Sequence, residues 1–198
     1  MEYLFEILDE ETAHDGFLGL KRYRLRHECY SGGMGPVVER ERIEGYEAAS
    51  VLLYDPRGDR LVMIEQFRIG AIGYQKTPWV LEIVGGLIEA GQTPESVARR
   101  EAVEEAGCAT GRIESICDFM VSPGFSTERI HLFCAEVDAR GAGGVHGLAE
   151  EGEDIRVEVL DADQAIAELY GGRVNSTSAI VALQWFILNR ERLRNTWR

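Results

Sequence analysis

Between Gly86 and Cys108 the chain reads Gly-Leu-Ile-Glu-Ala-Gly-Gln-Thr-Pro-Glu-Ser-Val-Ala-Arg-Arg-Glu-Ala-Val-Glu-Glu-Ala-Gly-Cys, and this run constrains the fold more than any other. Gly85 and Gly86 make a turn, Thr93 can cap a helix, Pro94 suits its first position and Gly107 can end it. The spacing predicts a helix over residues 94–106. On that helix Glu101, Glu104 and Glu105 stand three and four apart, so their carboxylates converge on one side of about one turn. Three anions that close repel one another, and a cation between them relieves the repulsion. Oxygen-only ligands at this spacing suit Mg²⁺ or Mn²⁺ rather than zinc. A solvated acidic face is the other reading of such a run. The ordered turn, cap and terminator around the glutamates favour the cation.

Composition narrows the partners. The chain has 198 residues, enough for one domain with a sizeable core or for a domain with a small N-terminal extension. Lys and Arg number 21 against 34 Asp and Glu, for a net charge of −13, which argues against a nucleic-acid surface. An acidic protein still binds an anionic substrate when metals bridge the two. Cys29, Cys108, Cys117 and Cys134 form no CxxC pair and match no zinc module, so reduced thiols are expected. His131 and Cys134, three apart on one expected strand, point to opposite faces and are not a metal pair. The apolar runs near residues 179–183 and 185–188 are too short to span a bilayer and no charged leader with an apolar core opens the chain, so a cytoplasmic protein is expected.

Alternation and turn residues predict N-terminal strands over 4–11, 17–30 and 37–43, a charged antiparallel extension with few inward apolar positions. Such a sheet needs a cover, and a partner subunit is one way to supply it. We expect residues 1–47 to form this dimerisation extension and 48–198 the main domain. In the latter, residues 49–54 and 61–67 read as a hairpin around an Asp-Pro-Arg-Gly-Asp turn, and 79–84 as one strand leading into the glycine turn. Strands near 113–121, 130–137 and 155–159 follow, then helices near 162–170 and 178–197, the last apolar on nearly every side between 179 and 188. This order is an α+β pattern.

The 86–108 run resembles the Nudix box, the signature of hydrolases that cleave nucleoside diphosphates linked to another group. Gly86, Arg100, Glu101, Glu104, Glu105 and Gly107 fall in its register, whereas Gln92 stands where the pattern has its first glutamate, and Ala102 and Cys108 soften two aliphatic positions. Three further segments resemble the ADP-ribose pyrophosphatase group of that family: Ser122-Pro-Gly-Phe-Ser-Thr-Glu128, the acidic run from Val145 to Val157, and Ser178 to Trp185. The resemblance implies a mixed β-sheet sandwiched between helices, with an N-terminal antiparallel extension often exchanged within a homodimer. It implies Mg²⁺-dependent hydrolysis of ADP-ribose, or of a related nucleotide sugar, to AMP and ribose 5-phosphate. A module that senses ADP-ribose without turning it over is the third possibility, and Gln92 is its support.

A diphosphate resists hydroxide because its oxygens are negative, so cleavage needs cations on those oxygens and a positioned water. Glu101 and Glu105 would hold the metal, with the Gly85 carbonyl completing the shell and Glu104 sharing a metal or bracing the helix. Arg100 is expected to neutralise a neighbouring carboxylate. The glycine-bearing segment 141–154 offers Glu150, Glu151 and Glu153, and the resemblance favours Glu151 as general base with Glu153 second. Arg68 can fork onto phosphate oxygens, Glu128 would accept from ribose hydroxyls, Glu82 would serve metal water or ribose, and Leu87 would pack on the base. Gln at position 92 would turn an ion pair with Arg100 into a hydrogen bond and loosen metal binding.

Overall fold

The computed structural model describes residues 3–74 and 76–197, with the side chain of Glu151 outside the description. Two compact units emerge, one of Met1–Glu47 with Met120–Arg129, the other of Ala48–Phe119 with Ile130–Arg198.

In the first unit β1 (Phe5–Asp15), β2 (Gly19–His27) and β3 (Val38–Glu44) form an antiparallel sheet in that order. Opposite charges set its register. Glu6 faces Arg26 and their side chains meet at 2.6 Å, and Arg22 of β2 reaches both Glu11 on one side and Glu41 on the other. These pairs are exposed, so each adds at most about 1 kcal/mol. Every residue of β1 is exposed, Phe5 by 71%, which leaves an eleven-residue edge strand without a cover on this chain.

The second unit is built on an eight-stranded sheet whose main path runs β10 (Gly144–His146), β11 (Ile155–Asp161), β5 (Arg60–Phe67), β4 (Glu47–Asp55), β9 (Arg129–Glu136) and β8 (Ile113–Met120). Period-two alternation sends Leu52, Tyr54, Leu61 and Met63 to one face. There they meet α2 (Ala162–Gly171) and α3 (Thr177–Trp197) through Ala165, Leu183 and Phe186. Val51, Leu53, Val62 and Ile64 face the other way and pack on Val97, Ala98 and Ala102 of α1 (Pro94–Glu104). Each fully buried Leu or Ile contributes about 1.5–3 kcal/mol, so the sheet is held from both faces. The last helix is less enclosed than its composition suggests, since Leu188 is 86% exposed. Among the described residues no helix is long and apolar enough to cross a membrane.

One correction to the expected elements positions the site. Residues 79–84 are not a single strand, because β6 (Trp79–Glu82) pairs with β5 and β7 (Val84–Leu87) pairs with β4. The hairpin explains the break. β4 and β5 pair at Leu53–Val62, Tyr54–Leu61 and Asp55–Arg60 beside their turn, and further on β6 takes the Ile64–Phe67 side while β7 takes the Ala48–Val51 side. The chain from Trp79 to Leu87 thus enters a wedge between two splayed strands. Its second half brings Gly85 and Gly86 beneath α1. A second correction lies at residues 144–146, read as flexible loop and found as the edge strand β10 on β11.

Candidate active site

The glutamate helix is fixed at both ends. Thr93 Oγ1 accepts from the Ser96 N–H and Ser96 Oγ from the Thr93 N–H, a reciprocal capping box ahead of Pro94. At the other end Gly107 takes φ +63°, and its N–H and that of Cys108 donate to the carbonyls of Val103 and Ala102. The helix closes at Glu104, and Glu105 is its cap residue.

Two carboxylates from this segment are buried against strand β7, where Gly85 and Gly86, expected as a turn, pair with Ser50 and Ala49 of β4. Glu105, 3% exposed, accepts a hydrogen bond of 2.9 Å from the Gly85 N–H. Glu101 lies over Gly86 so closely that a β-carbon there would stand 1.7 Å from its Oε1, so any side chain at position 86 would force Glu101 to shift. Gly85 is equally constrained, with Ser50 Oγ 2.7 Å from where its β-carbon would be. Burial pushes the Glu105 carboxyl up to about 8, the charges of Glu101 and Glu153 push the same way, and the Gly85 N–H and the Arg68 charge do not offset them. Glu101 is also raised by burial, with Arg100 opposing and Glu104 and Glu153 adding to the shift. Burial thus disfavours the charged form of both carboxyls, which a cation placed between them would restore.

The other expected residues have these surroundings. Arg100 reaches Glu101 at 2.8 Å and Glu104 at 2.5 Å, so Glu104 is held by a guanidinium on the helix surface. Glu153 is half-buried and its Oε2 accepts from the Leu148 N–H at 2.9 Å, and its charge is felt at both Glu101 and Glu105. Glu151 ends a 3₁₀ turn, Ala149–Glu151, on the same loop, and the position of its side chain lies outside the described residues. Arg68, just beyond β5, pairs with Glu82 of β6 at 2.6 Å. Leu87 is 42% exposed at the end of β7. Glu128 belongs to the other unit, where its N–H donates to Ser126 Oγ at 3.1 Å and its α- and β-carbons lie against Gly45.

Gln92 does not meet Arg100. Its Oε1 accepts the Glu89 N–H at 3.0 Å and so closes the turn before the helix. Sequence reasoning also missed His146, whose ring lies over Gly107. Its only signal was its place near the start of the acidic run from Val145 to Val157.

The donor set fits a hard divalent cation. It is oxygen alone, its two carboxylates are desolvated and mutually repelling, and Arg100 offsets only part of the charge. Among the described residues no group of three His, Cys, Asp or Glu side chains is arranged to hold a metal unaided.

Comparison with known proteins identifies the family. The NUDIX domain family matches residues 46–180. The chain belongs to the NUDIX family, and it is a hydrolase. It is 45% identical over 192 residues to the ADP-ribose pyrophosphatase of Escherichia coli (strain K12), covering 97% of this chain and 92% of that protein. It is 42% identical over 196 residues to the ADP-ribose pyrophosphatase of Haemophilus influenzae, covering 98% and 90%. The GDP-mannose pyrophosphatase of Pectobacterium atrosepticum is 32% identical over 188 residues, covering 92% and 94%. A crystal structure of an ADP compounds hydrolase shares the fold at a TM-score of 0.72 and 21% identity, covering 96% of this chain and 95% of that one.

Proposed function

We propose that this Nudix hydrolase cleaves the diphosphate of ADP-ribose, giving AMP and ribose 5-phosphate, in a Mg²⁺-dependent reaction for which Mn²⁺ can substitute. The observation that carries the reading is the buried Glu101–Glu105 pair, set against Gly86 and Gly85 with too little positive charge to balance it. When bound, the divalent cation supplies positive charge to the diphosphate oxygens and acidifies a water. Glu101 and Glu105 would hold it together with the Gly85 carbonyl, and Arg100 with Glu104 braces the helix so that both carboxylates keep their places.

A carboxylate outside the helix takes the proton of the attacking water. Glu153 is the candidate whose charge reaches both helix carboxylates, and Glu151 rides on the same loop. As the water oxygen bonds to phosphorus, the bridging P–O bond breaks and its electrons leave on the second phosphate. General-base work of this kind contributes about 10²–10⁴ in rate. Arg68, oriented by Glu82, offers its guanidinium to phosphate oxygens, while Glu128 serves the ribose and Leu87 the base.

The substrate assignment rests on the relatives that match nearly the full length of this chain. The GDP-mannose pyrophosphatase at lower identity supports the second reading, a hydrolase of another nucleotide sugar. The working form in this proposal is a cytoplasmic homodimer without nucleic acid or membrane. The uncovered β1 strand supports the dimer, as does the aromatic cavity of about 470 Å³ lined by Tyr3, Leu4, Phe5, His27, Cys29 and Tyr30. Phosphate released by a coupled phosphatase from the products of ADP-ribose, GDP-mannose and other nucleotide sugars, with and without Mg²⁺, tests the assignment. ADP-ribose should give the highest kcat/KM. Binding without turnover of any of them would mean a sensor.

A further inference from the structure

The loop that carries both candidate bases is fastened to the end of the glutamate helix by groups the proposed chemistry does not use. Gly147 donates its N–H to the carbonyl of Glu104 at 3.3 Å. One residue earlier, the His146 ring sits on Gly107, where a β-carbon would come within 2.7 Å of its Cε1. Nε2 of that ring lies 2.9 Å from the carbonyl of Gly143, so it carries the hydrogen and donates, and the ring is held on two sides. Beyond this point the loop closes on itself. The Glu153 N–H donates to the Leu148 carbonyl at 3.2 Å, and the Leu148 N–H donates to Glu153 Oε2 at 2.9 Å. A compact ring of residues 148–153 therefore forms the tip of the β10–β11 hairpin, where His146 faces Ile155, and among the described residues it meets α1 and its terminating Gly107 through Gly147 and His146.

We propose that His146 is a positioning residue, whose ring, seated on the bare α-carbon of Gly107, sets the register of the 147–154 loop against α1 and hence the distance from Glu153 to the Glu101–Glu105 pair. The kinetic part of this inference rests on the hydrolytic reading given above; the fastening itself does not. Gly107 serves it twice. Its φ of +63° ends the helix, and its missing side chain leaves the seat for the imidazole. A residue that only filled space at β10 would affect stability and leave turnover alone. One that registers a general base affects kcat, because a displacement of about 1 Å costs on the order of 10² in rate.

The test compares wild type with His146→Ala and His146→Gln, the latter keeping a planar amide and a donor near the Nε2 position. His146→Ala should lower kcat by roughly 10- to 100-fold with KM for ADP-ribose within about twofold, and His146→Gln should recover to within about threefold of wild type. By mass spectrometry, amide exchange over residues 147–154 should speed up about tenfold or more in His146→Ala, while residues 94–104 stay unchanged. If His146→Ala does not fold, His146→Asn, which withdraws the donor from Gly143, takes its place with the same expectation. A kcat within twofold of wild type, unchanged exchange over the loop, or a Gln variant no better than Ala would each overturn the proposal. Should the wild type hydrolyse no nucleotide sugar, the hydrolytic reading falls by itself, and the exchange comparison alone decides the fastening.

Discussion

The Glu101 carboxylate rests directly on the α-carbon of Gly86, and no side chain fits between them. Gly86→Ala must therefore push Glu101 off its seat or tilt α1. Steady-state assays should show kcat lower by about 10²-fold, as expected for a displacement of about 1 Å, with circular dichroism close to wild type. Full activity in the alanine variant would show that the position of Glu101 is unimportant to turnover.

Glu105 is buried and raised to about 8, so its charge opposes folding when no cation is present. Glu105→Gln keeps the shape and can still accept from the Gly85 N–H. We expect the thermal midpoint of the metal-free protein to rise by a few degrees, corresponding to about 1 kcal/mol, while kcat with Mg²⁺ falls by at least about 10²-fold. Calorimetry in EDTA together with a Mg²⁺ assay measures both. A variant that is less stable without metal and as active with it would contradict the placement of the cation.

Asp59, at the tip of the β4–β5 turn, ties that turn to α3. Burial works against its charge, but hydrogen bonds from Arg190 at 2.7 Å and Tyr54 at 2.8 Å, with the Arg190 and Arg194 charges, hold its carboxyl below the usual 3.8. Because the folded value is the lower one, this stabilisation is complete above about pH 4 and is lost as pH falls through the folded value. Asp59→Asn should cost about 2 kcal/mol in urea unfolding at pH 7 and have a smaller effect near pH 2. An equal cost at both pH values would exclude the ionic contribution.

Gln92 closes its turn by accepting from the Glu89 backbone, a task a carboxylate performs as well. Gln92→Glu should leave the Mg²⁺ concentration for half-maximal activity within about twofold of wild type. Gln92→Ala should cost about 1 kcal/mol of stability, the ordinary value of one lost hydrogen bond. A marked tightening of Mg²⁺ dependence in the glutamate variant would restore the idea that position 92 serves the metal.

The helix with its cap, proline, three glutamates and terminal glycine was legible because each signal acts within a few residues. The hairpin and the three N-terminal strands were legible for the same reason, through turn residues and alternation. What the sequence hid was non-local. The break between β6 and β7 depends on how β4 and β5 splay, and it falls at Ile83, whereas the Gly85-Gly86 pair read as a turn lies inside β7, paired with Ser50 and Ala49 of β4. β10 is short and glycine-flanked, so its pairing with β11 left no periodic trace. Gln92 was assigned to Arg100 from the family pattern, whereas a nearby backbone N–H was the stronger local competitor. The spacing of Glu101, Glu104 and Glu105 placed them together but not their separate fates, two under the sheet and one on Arg100, since burial is decided by the facing strands.

α1 presents Val97, Ala98 and Ala102 to the sheet, and Ala106 just past its end joins them, so three of these four residues are alanines. Such short side chains let the helix axis come near the strands, and it is this closeness that carries Glu101 and Glu105 down to Gly86 and Gly85. Under the proposed chemistry, interior packing and turnover become one variable: enlarging Ala102 would lift the helix and draw Glu101 and Glu105 away from Gly86 and Gly85, so the volume of one methyl group in the core would act as a tuning screw on reactivity.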